Sequence, residues 1–341
     1  MIDIGFYMRL KEFKNILPEI PPGQRDEICV WLDKQRSSTP VVFNIETTNA
    51  CNMTCPFCPR TTLMTRPVKT MSRDVFADIA AQLVPHPPEL WNEWAQFANE
   101  VYGVPPNEQS ENAFFLYILP KVLVLHGYGD PLLDPHIPDY VGILTGRDIP
   151  TYFSCNPANI NLGKTANVFE NGLTYIKYSI DSLSASVRGK DAFKQDYPQI
   201  MAVLDMKAKH NYKTQVIITM INLGRDEYES LKDAFAGTDV YIYQKSLDQA
   251  WMVGGDKPLS IHWSEFCQMP WSSMTINSSG LSVACQEDFN GEIVLGDAKT
   301  QSPSDIWNGD AYTAFRKSHF YKTPGKCWEN CDMKVIGKWL S

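Results

Sequence analysis

The chain has 341 residues, 44% of them hydrophobic and 21% charged, so it can bury the core of one large domain with a small domain beside it. Its 31 basic and 39 acidic residues give a net charge of −8, which argues against general binding to nucleic acid. No apolar run approaches the roughly 20 residues of a membrane helix, and the start of the chain does not have the pattern of a secretion signal. We therefore expect a cytoplasmic protein with neither a membrane nor a nucleic-acid partner.

Residues 1–40 are predicted to be a helical preface. Leu10, Phe13, Ile16 and Leu17 recur at helical spacing, and a group of prolines follows them. Residues 27–35 favour a second short helix, in which Cys29 is interpreted as a packing residue.

From residue 41 to 255, short apolar runs alternate with helical stretches, which predicts an α/β fold with a parallel sheet and right-handed crossovers. Six strands suit an open partial barrel and are too few for a closed eight-stranded one. The candidate strands are 41–46, 122–125, 151–154, 175–180, 215–220 and 240–243, and the candidate helices are 72–83, 162–171, 192–210 and 227–235.

Two further segments depart from this alternation. Residues 84–120 are rich in proline and aromatic residues and are too long for a crossover, so we interpret them as an insertion, either a packing flap or a lid or substrate-contacting element. Residues 256–341 are predicted to be a small cysteine-bearing domain, with a hairpin over 274–284 around the turn 277–280. Residues 304–307 and 311–319 are predicted to be helices.

Three cysteines, Cys51, Cys55 and Cys58, directly follow the first candidate strand with C-x3-C-x2-C spacing. Three thiolates on one tight loop can bind three irons of a cubane cluster and leave the fourth iron open, as catalytic metal sites require. The alternative is a structural zinc loop, but residues 44–66 offer neither a histidine nor a fourth cysteine.

The stretch from Cys51 to Cys58, with Phe57 just before the last cysteine, resembles the signature of the radical S-adenosylmethionine superfamily. This resemblance implies a six-stranded partial barrel and a four-iron cluster whose open iron is chelated by S-adenosylmethionine. One electron then cleaves this cofactor to a 5′-deoxyadenosyl radical. The resemblance also implies a flavodoxin- or ferredoxin-type electron donor as a partner.

The stretch Gly127, Tyr128, Gly129, Asp130 after the second strand resembles the family's Gly-Gly-Glu-Pro element, which binds the methionine amino group. Here Tyr128 stands in place of the second glycine and Asp130 in place of glutamate. An ordinary turn is the alternative interpretation.

Residues at the ends of the next strands are further candidates. Ser179 and Asp181 match the family's ribose contact, although Asp181 could instead cap a helix. Asn156 matches a family motif in which Cys155 replaces threonine. Cys155 is a candidate hydrogen donor to a substrate radical, or a small packing residue.

Cys267, Cys285, Cys327 and Cys331 can together ligate a second four-iron cluster, with zinc as the alternative. Their segment resembles the short, single-cluster form of the SPASM domain, called twitch. Pro270-Trp271, Ile306-Trp307-Asn308 and Arg316 belong to that resemblance.

These observations predict an oxidoreductase with S-adenosylmethionine and two four-iron clusters as cofactors. The expected substrate is a small polar molecule such as a sugar, aminocyclitol or nucleoside, and the expected reaction is a net oxidation. A radical epimerase, a decarboxylase and a peptide-modifying maturase are alternatives. A zinc-binding or electron-carrying protein is the alternative outside enzymes.

Overall fold

A computed structural model describes residues 1–13, 24–55, 58–180, 192–221, 225–245 and 267–320. The strands in these residues are β1 (Val42–Ile45), β2 (Leu123–Val124), β3 (Thr151–Cys155), β4 (Tyr175–Ile180), β5 (Gln215–Ile221), β6 (Val240–Lys245), β7 (Met274–Ile276), β8 (Leu281–Val283) and β9 (Val294–Asp297). They form one sheet in the order β6-β5-β4-β3-β2-β1-β7-β8-β9.

The helices in the same residues fall into three groups. Before the sheet lie α1 (Ile4–Phe13) and α2 (Arg25–Gln35). Between β1 and β6 lie α3 (Pro59–Thr62), α4 (Arg73–Ala80), α5 (Pro88–Tyr102), α6 (Glu111–Ala113), α7 (Ile137–Thr145), α8 (Leu162–Glu170), α9 (Ala192–His210) and α10 (Arg225–Ala234). Beyond residue 266 lie α11 (Met269–Ser272), α12 (Pro303–Asn308) and α13 (Asp310–Phe320).

The sheet confirms the predicted fold class. Strands β1 to β6 are parallel to their neighbours, and each lies within a few residues of its predicted position. Strand β6 lies at one edge of the sheet, as an open barrel requires. The hairpin β7–β8 was also predicted, but β9 was not. Strand β7 pairs in parallel with β1, so the hairpin extends the main sheet.

The two faces of the sheet have different neighbours because side chains alternate along each strand. Phe153, Tyr178 and Ile218 share one core cluster with α4 and α7 to α10. On the opposite face, Tyr152 and Tyr243 share a second cluster with the insertion. This second face is the barrel interior, because right-handed crossovers place the crossover helices on the outside.

The insertion, residues 84–120, lies on the interior face. It contains α5 and a π-helical turn over Phe114–Ile118. Trp94 of α5 is fully buried, and its indole nitrogen donates to the backbone oxygen of Leu116 at 2.6 Å. Phe114 stacks on Tyr243 with ring centroids 5.0 Å apart. These contacts support the packing interpretation of the insertion.

Sequence analysis identified neither α5 nor α7. Both helices have a proline in their first turn, Pro88 in α5 and Pro138 in α7. Proline is well tolerated there because the first helical N–H groups have no partner within the helix. The prolines of residues 84–120 therefore mark a helix start as well as loops.

Candidate functional site

The first cysteine loop leaves the carboxyl end of β1. The backbone N–H of Cys58 donates to Cys55 O at 3.1 Å, and Cys58 directly precedes α3. All three thiols are half-buried. Burial raises the pKa values of Cys51 and Cys58, while the N–H of Met53, 3.4 Å from Cys51 Sγ, favours the thiolate. Phe57 lies outside the described residues.

Arg60 stabilises this loop by hydrogen bonds to its backbone oxygens. Its guanidinium donates to three backbone oxygens, at 3.2 Å to Asn49, at 3.4 Å to Met53, and to Cys51. Arg60 was not predicted as a site residue. Only its position, two residues after the last cysteine, could have indicated this role. Carbonyl groups on a tight loop need hydrogen-bond donors, and a nearby arginine can supply them.

A group of amides joins the cysteine loop to the loop after β3. Asn52 and Asn159 exchange two side-chain hydrogen bonds of 2.8 and 3.0 Å. Asn159 also donates to Asp130 Oδ2 at 2.7 Å, which links the loop after β2 to the same group. Neither Asn52 nor Asn159 was predicted as a site residue, because the motif includes only the spacing of the cysteines.

The glycine loop packs directly against the end of β1. A Cβ atom on Gly129 would lie 2.1 Å from the backbone oxygen of Thr48, and one on Gly127 would lie 2.6 Å from Glu46 Oε1. These glycines therefore permit close contact with the loop after β1, where sequence analysis expected contact with a ligand. The backbone N–H of Asp130 donates to Ala50 O at 2.8 Å.

The side chain of Asp130 is buried and takes part in three contacts. It accepts hydrogen bonds from the N–H groups of Leu132 and Asn156, both at 2.9 Å, and from Asn159. Burial raises its pKa, and these hydrogen bonds oppose that shift. Asp130 thus fixes the loops after β2 and β3 relative to each other.

A buried ion pair connects this edge of the sheet to the hairpin. Arg66 Nη2 lies 2.6 Å from Glu46 Oε1, which also accepts the N–H of Tyr128 at 3.1 Å. Glu46 Oε2 accepts the N–H of Ser278 at 3.0 Å, and Arg66 Nη1 donates to Ser278 Oγ at 3.0 Å. Neither Glu46 nor Arg66 was predicted as a site residue, because they lie 20 positions apart and neither belongs to a motif.

Tyr128 contacts the segment that follows β8. Its hydroxyl donates to Glu287 at 3.1 Å, and its ring lies edge-on to Phe289 at 5.7 Å. Burial raises the pKa of Tyr128, and the neighbouring carboxylate of Glu287 raises it further. A tyrosine at this glycine position of the motif therefore joins the glycine loop to the cysteine-bearing segment.

Polar groups line the interior at the ends of β3 and β4. Ser154 Oγ and Ser179 Oγ lie 3.1 Å apart. The backbone N–H of Ser154 donates to His126 Nδ1 at 3.2 Å, so a neutral His126 carries its proton on Nε2. Asn156 caps the short 3₁₀ helix Pro157–Asn159. Asp181 lies outside the described residues.

Cys155 lies on the opposite face of β3 from Ser154. It is 5% exposed and belongs to the cluster under the outer helices. Its thiol donates to the backbone oxygen of Lys177 at 3.7 Å, and burial raises its pKa. This placement supports the packing interpretation of Cys155, and its role as a hydrogen donor remains a prediction.

In the second cysteine set, Cys285 is buried just after β8 and Cys267 is half-buried before α11, while Cys327 and Cys331 lie outside the described residues. Gly280 has a φ of 79° at the hairpin turn, a conformation that glycine adopts without strain. Arg316 donates to the backbone oxygens of Pro270 and Trp307, both at 2.9 Å. It therefore connects two further segments that carry the resemblance to the twitch domain.

The thiol donor set suits an iron–sulfur cluster. Three half-buried cysteines lie on one loop, and each can bind a different iron of a cubane. The charge of Arg60 favours the thiolates of Cys51 and Cys58, while burial opposes them. In the described part of the chain, no three histidine, cysteine, aspartate or glutamate side chains are placed to hold one metal ion.

Comparisons with known proteins agree with this geometry. The sequence model of the radical SAM superfamily matches residues 45–235, which are 191 of 341 residues, and that of the SPASM iron–sulfur cluster-binding domain matches residues 267–332. These matches confirm the predicted cofactors, S-adenosylmethionine and two four-iron clusters. No helix among the described residues is long and apolar enough to cross a membrane.

A curated relative from Niallia circulans, S-adenosyl-L-methionine-dependent 2-deoxy-scyllo-inosamine dehydrogenase, is 29% identical over 107 residues. The match covers 30% of this chain and 43% of that relative. The crystal structure of BtrN in complex with AdoMet and 2-DOIA is similar, with a TM-score of 0.52 and 18% identity over 84% of this chain and 91% of BtrN.

The structure of anSMEcpe with bound AdoMet has a TM-score of 0.51 and 14% identity, over 86% of this chain and 85% of that one. At these identities the two structures establish the fold alone. The sequence match over more than half of the chain goes further: this protein belongs to the radical S-adenosylmethionine superfamily.

Proposed function

We propose that the protein is a radical S-adenosylmethionine oxidoreductase that oxidises a small hydroxylated substrate bound in the barrel interior. The observation that carries this proposal is the hydrogen-bonded group of Asn52, Asn159 and Asp130. It fixes the first cysteine loop against the loops that follow β2 and β3, beside the polar interior.

In this proposal, Cys51, Cys55 and Cys58 hold the first cluster. S-adenosylmethionine lies among the residues at the strand ends, namely Phe57, Gly127, Tyr128, Gly129, Asp130, Asn156, Ser179 and Asp181. The auxiliary cluster is held by Cys267, Cys285, Cys327 and Cys331. When bound, these groups supply hydrogen-atom abstraction and a one-electron acceptor. The proposed domains are the partial barrel, residues 41–255, and the twitch-like domain, residues 256–341.

The surrounding residues position these ligands. Arg60 and Asn52 fix the cysteine loop through their hydrogen bonds. Tyr128 is half-buried, and its ring lies edge-on to Phe289, so the glycine loop contacts the segment that follows β8.

Two observations favour oxidation of an alcohol over epimerisation. Cys155, the candidate hydrogen donor, belongs to the cluster under the outer helices, whereas an epimerase needs its donor beside the substrate. The relative from Niallia circulans is named as a dehydrogenase of an aminocyclitol. We extend that substrate class to this chain as part of the proposal.

The proposal includes two further expectations. A flavodoxin- or ferredoxin-type protein supplies the electron that starts each turnover. The cytoplasm is the proposed location, because cluster-binding cysteines need a reducing compartment.

Anaerobic reconstitution with iron and sulfide tests the proposal. We expect about eight irons per chain, formation of 5′-deoxyadenosine with a chemical reductant, and oxidation of 2-deoxy-scyllo-inosamine or a related cyclitol. Stoichiometric zinc without iron would overturn the function. Formation of 5′-deoxyadenosine without oxidation of any cyclitol would overturn only the substrate class.

A further inference from the structure

The side chain of Tyr128 joins two parts of the sheet that are not neighbours. In the strand order, β1 and β7 separate β2 from β8, so these two strands lie about 14 Å apart along the sheet at the usual strand spacing. Tyr128 follows β2, and its hydroxyl donates to Glu287, which follows β8, at 3.1 Å. Strand pairing does not require this contact, so it depends on the tyrosine side chain.

The segment that receives this contact is a closed loop containing Cys285. The N–H of Ala284 donates to Ile293 O at 3.1 Å and closes residues 284–293, which we call the auxiliary loop. Within it, the N–H of Asp288 donates to Cys285 O at 3.2 Å, and the Asp288 carboxylate accepts two further backbone N–H groups at 2.8 and 2.9 Å. Because these hydrogen bonds tie the loop together, a displacement of its cysteine displaces the whole loop.

Tyr128 makes two contacts with the auxiliary loop and lies near both cysteine sets. Besides the hydrogen bond to Glu287, its ring lies edge-on to Phe289 at 5.7 Å. Burial raises the pKa of Tyr128, and the negative charges of Glu287, Cys285 and Cys58 raise it further. Tyr128 is therefore within electrostatic reach of one cysteine from the first set and one from the second.

The backbone of Tyr128 belongs to the glycine loop, which is fixed on both sides. The N–H of Tyr128 donates to Glu46 Oε1 at 3.1 Å, and neither neighbouring glycine has room for a Cβ atom. Further along, Asp130 accepts a hydrogen bond from Asn159, which also bonds to Asn52 of the first cysteine loop. A packed loop of this kind cannot absorb a shift locally, so a shift at the tyrosine hydroxyl reaches the first cysteine loop.

We propose that Tyr128 is a positioning residue that couples the two cofactor sites, so that S-adenosylmethionine binds tightly only when the auxiliary cluster holds the auxiliary loop. This inference rests on the proposed function, which assigns S-adenosylmethionine to the glycine loop and the second cluster to the set that includes Cys285. The coupling suits an oxidation, because a chain without the second cluster lacks the electron acceptor for the substrate radical. Weak cofactor binding in that state limits formation of a radical that the chain cannot oxidise.

Removal of the auxiliary cluster tests the coupling. Cys285→Ala removes a thiol of the auxiliary loop, and Cys267→Ala removes one outside it. After anaerobic reconstitution, each variant should contain about four irons per chain instead of about eight. Each is made alone and together with Tyr128→Phe, which deletes the hydroxyl and keeps the ring. Equilibrium dialysis then measures the affinity of every protein for S-adenosylmethionine.

Tyr212→Phe is the matched control, tested in the same combinations. The hydroxyl of Tyr212 also donates to a glutamate, Glu170, at 2.7 Å. Glu170 ends α8 on the outside of the barrel, so this hydrogen bond joins neither cysteine set to the glycine loop.

In the wild type, loss of the auxiliary cluster should weaken binding of S-adenosylmethionine at least about fivefold, the lower end of typical coupling between two sites. With Tyr128→Phe, the same loss should change the affinity by less than about twofold, the margin within which independent changes add. Tyr212→Phe should keep the coupling of the wild type. A tyrosine that only stabilised the fold would lower the affinity by one factor, whether or not the auxiliary cluster was present.

Three results would overturn the inference. The first is an affinity that loss of the auxiliary cluster leaves unchanged in the wild type. The second is coupling that persists in Tyr128→Phe, because it would then pass through Arg66, which donates to Phe289 O at 2.5 Å. The third is an effect of Cys285→Ala that Cys267→Ala does not reproduce, because the replaced side chain and not the cluster would then be its cause.

The same samples separate this inference from the proposed function. Iron content and reductant-driven formation of 5′-deoxyadenosine are measured in the wild type. If it contains about eight irons and cleaves S-adenosylmethionine while the coupling is absent, only the role of Tyr128 fails. If the wild type forms no 5′-deoxyadenosine, the proposed function fails first.

Discussion

Two regions of the barrel are stabilised in different ways. On the interior face, the insertion packs through aromatic residues, with Trp94 and Phe114 against Tyr152 and Tyr243, and this packed region is the floor of the barrel. At the carboxyl end, the rim is built from directional contacts, namely the Glu46–Arg66 ion pair and the amides of Asn52 and Asn159.

This difference follows from the separate tasks of the floor and the rim. Apolar burial has no preferred direction, so it stabilises the barrel without fixing any single atom. Hydrogen bonds and ion pairs fix distances and angles, which a site that binds cofactors needs. We therefore expect changes at the rim to alter cofactor binding and changes at the floor to alter stability.

The largest expected effect is at the rim. In Cys55→Ala, the iron content after reconstitution should fall from about eight to about four per chain, and 5′-deoxyadenosine formation should fall to background. The matched control is Cys29→Ala, a half-buried thiol of α2 with no proposed cluster role. Full iron and full cofactor cleavage in Cys55→Ala would exclude the first cysteine loop as the active cluster site.

The next effect concerns the buried ion pair. Arg66→Met leaves the Glu46 carboxylate uncompensated, at 3% side-chain exposure, and should lower the free energy of unfolding by about 3–5 kcal/mol. Arg73→Met breaks the exposed pair with Asp139 and should cost less than about 1 kcal/mol. Both are measured by urea denaturation.

Adding Glu46→Gln to Arg66→Met removes the uncompensated charge and should restore part of the lost stability. If Arg66→Met were no more destabilising than Arg73→Met, the pair would not connect the hairpin to the barrel in the way described.

The floor should respond to pH. Burial lowers the pKa of His86, in the insertion, to about 4 from its usual 6.5. Between these values the unfolded chain binds more protons than the folded one, so stability should rise with pH across this window. The contribution should be lost as the pH falls from 6.5 to about 4, and its upper limit is about 3.5 kcal/mol, since one pKa unit is worth about 1.4 kcal/mol.

His86→Phe tests this directly. The unfolding free energy of the variant should depend less on pH between 4 and 6.5 than that of the wild type, in urea titrations at several pH values. An unchanged pH profile would show that His86 is protonated equally in both states.

Sequence predicted the rim and the floor to different degrees. The cysteine spacing and the glycine loop identified the strand ends, because those residues are close together in sequence. Arg66 and Glu46, or Asn52 and Asn159, are separated by 20 and 107 positions, and only the fold brings them together. Contacts between residues so far apart in the sequence leave no local pattern, so they could not be predicted from it.

The insertion shows a different limit. Its prolines and aromatic residues predicted an insertion but no helix within it, and in the structure Pro88 begins α5, and Trp94 and Phe114 pack into the barrel. Composition indicated that this segment was unusual, but it gave no information on which face of the sheet it covers. Sheet pairing was limited in the same way, since the hairpin was predicted but its parallel pairing with β1 was not.

The smallest expected effect tests whether the rim positions the cofactor or only stabilises the fold. Asn159→Ala removes hydrogen bonds to Asn52 and Asp130. Because Asn52 is exposed and Asn159 is only half-buried, stability should fall by only about 1 kcal/mol. The affinity for S-adenosylmethionine, measured by equilibrium dialysis of the reconstituted protein, should fall by about fivefold, which corresponds to about 1 kcal/mol.

Asn167→Ala is the matched control, because Asn167 accepts an amide hydrogen bond from Asn171 on the outer helix α8. It should leave the affinity unchanged. If both variants bound S-adenosylmethionine like the wild type, the hydrogen bonds of Asn159 would stabilise the fold alone. The difference between the floor and the rim would then depend on the Glu46–Arg66 ion pair. A loss of affinity confined to Asn159→Ala would show that one amide, 107 positions from its partner, helps to set the cofactor site.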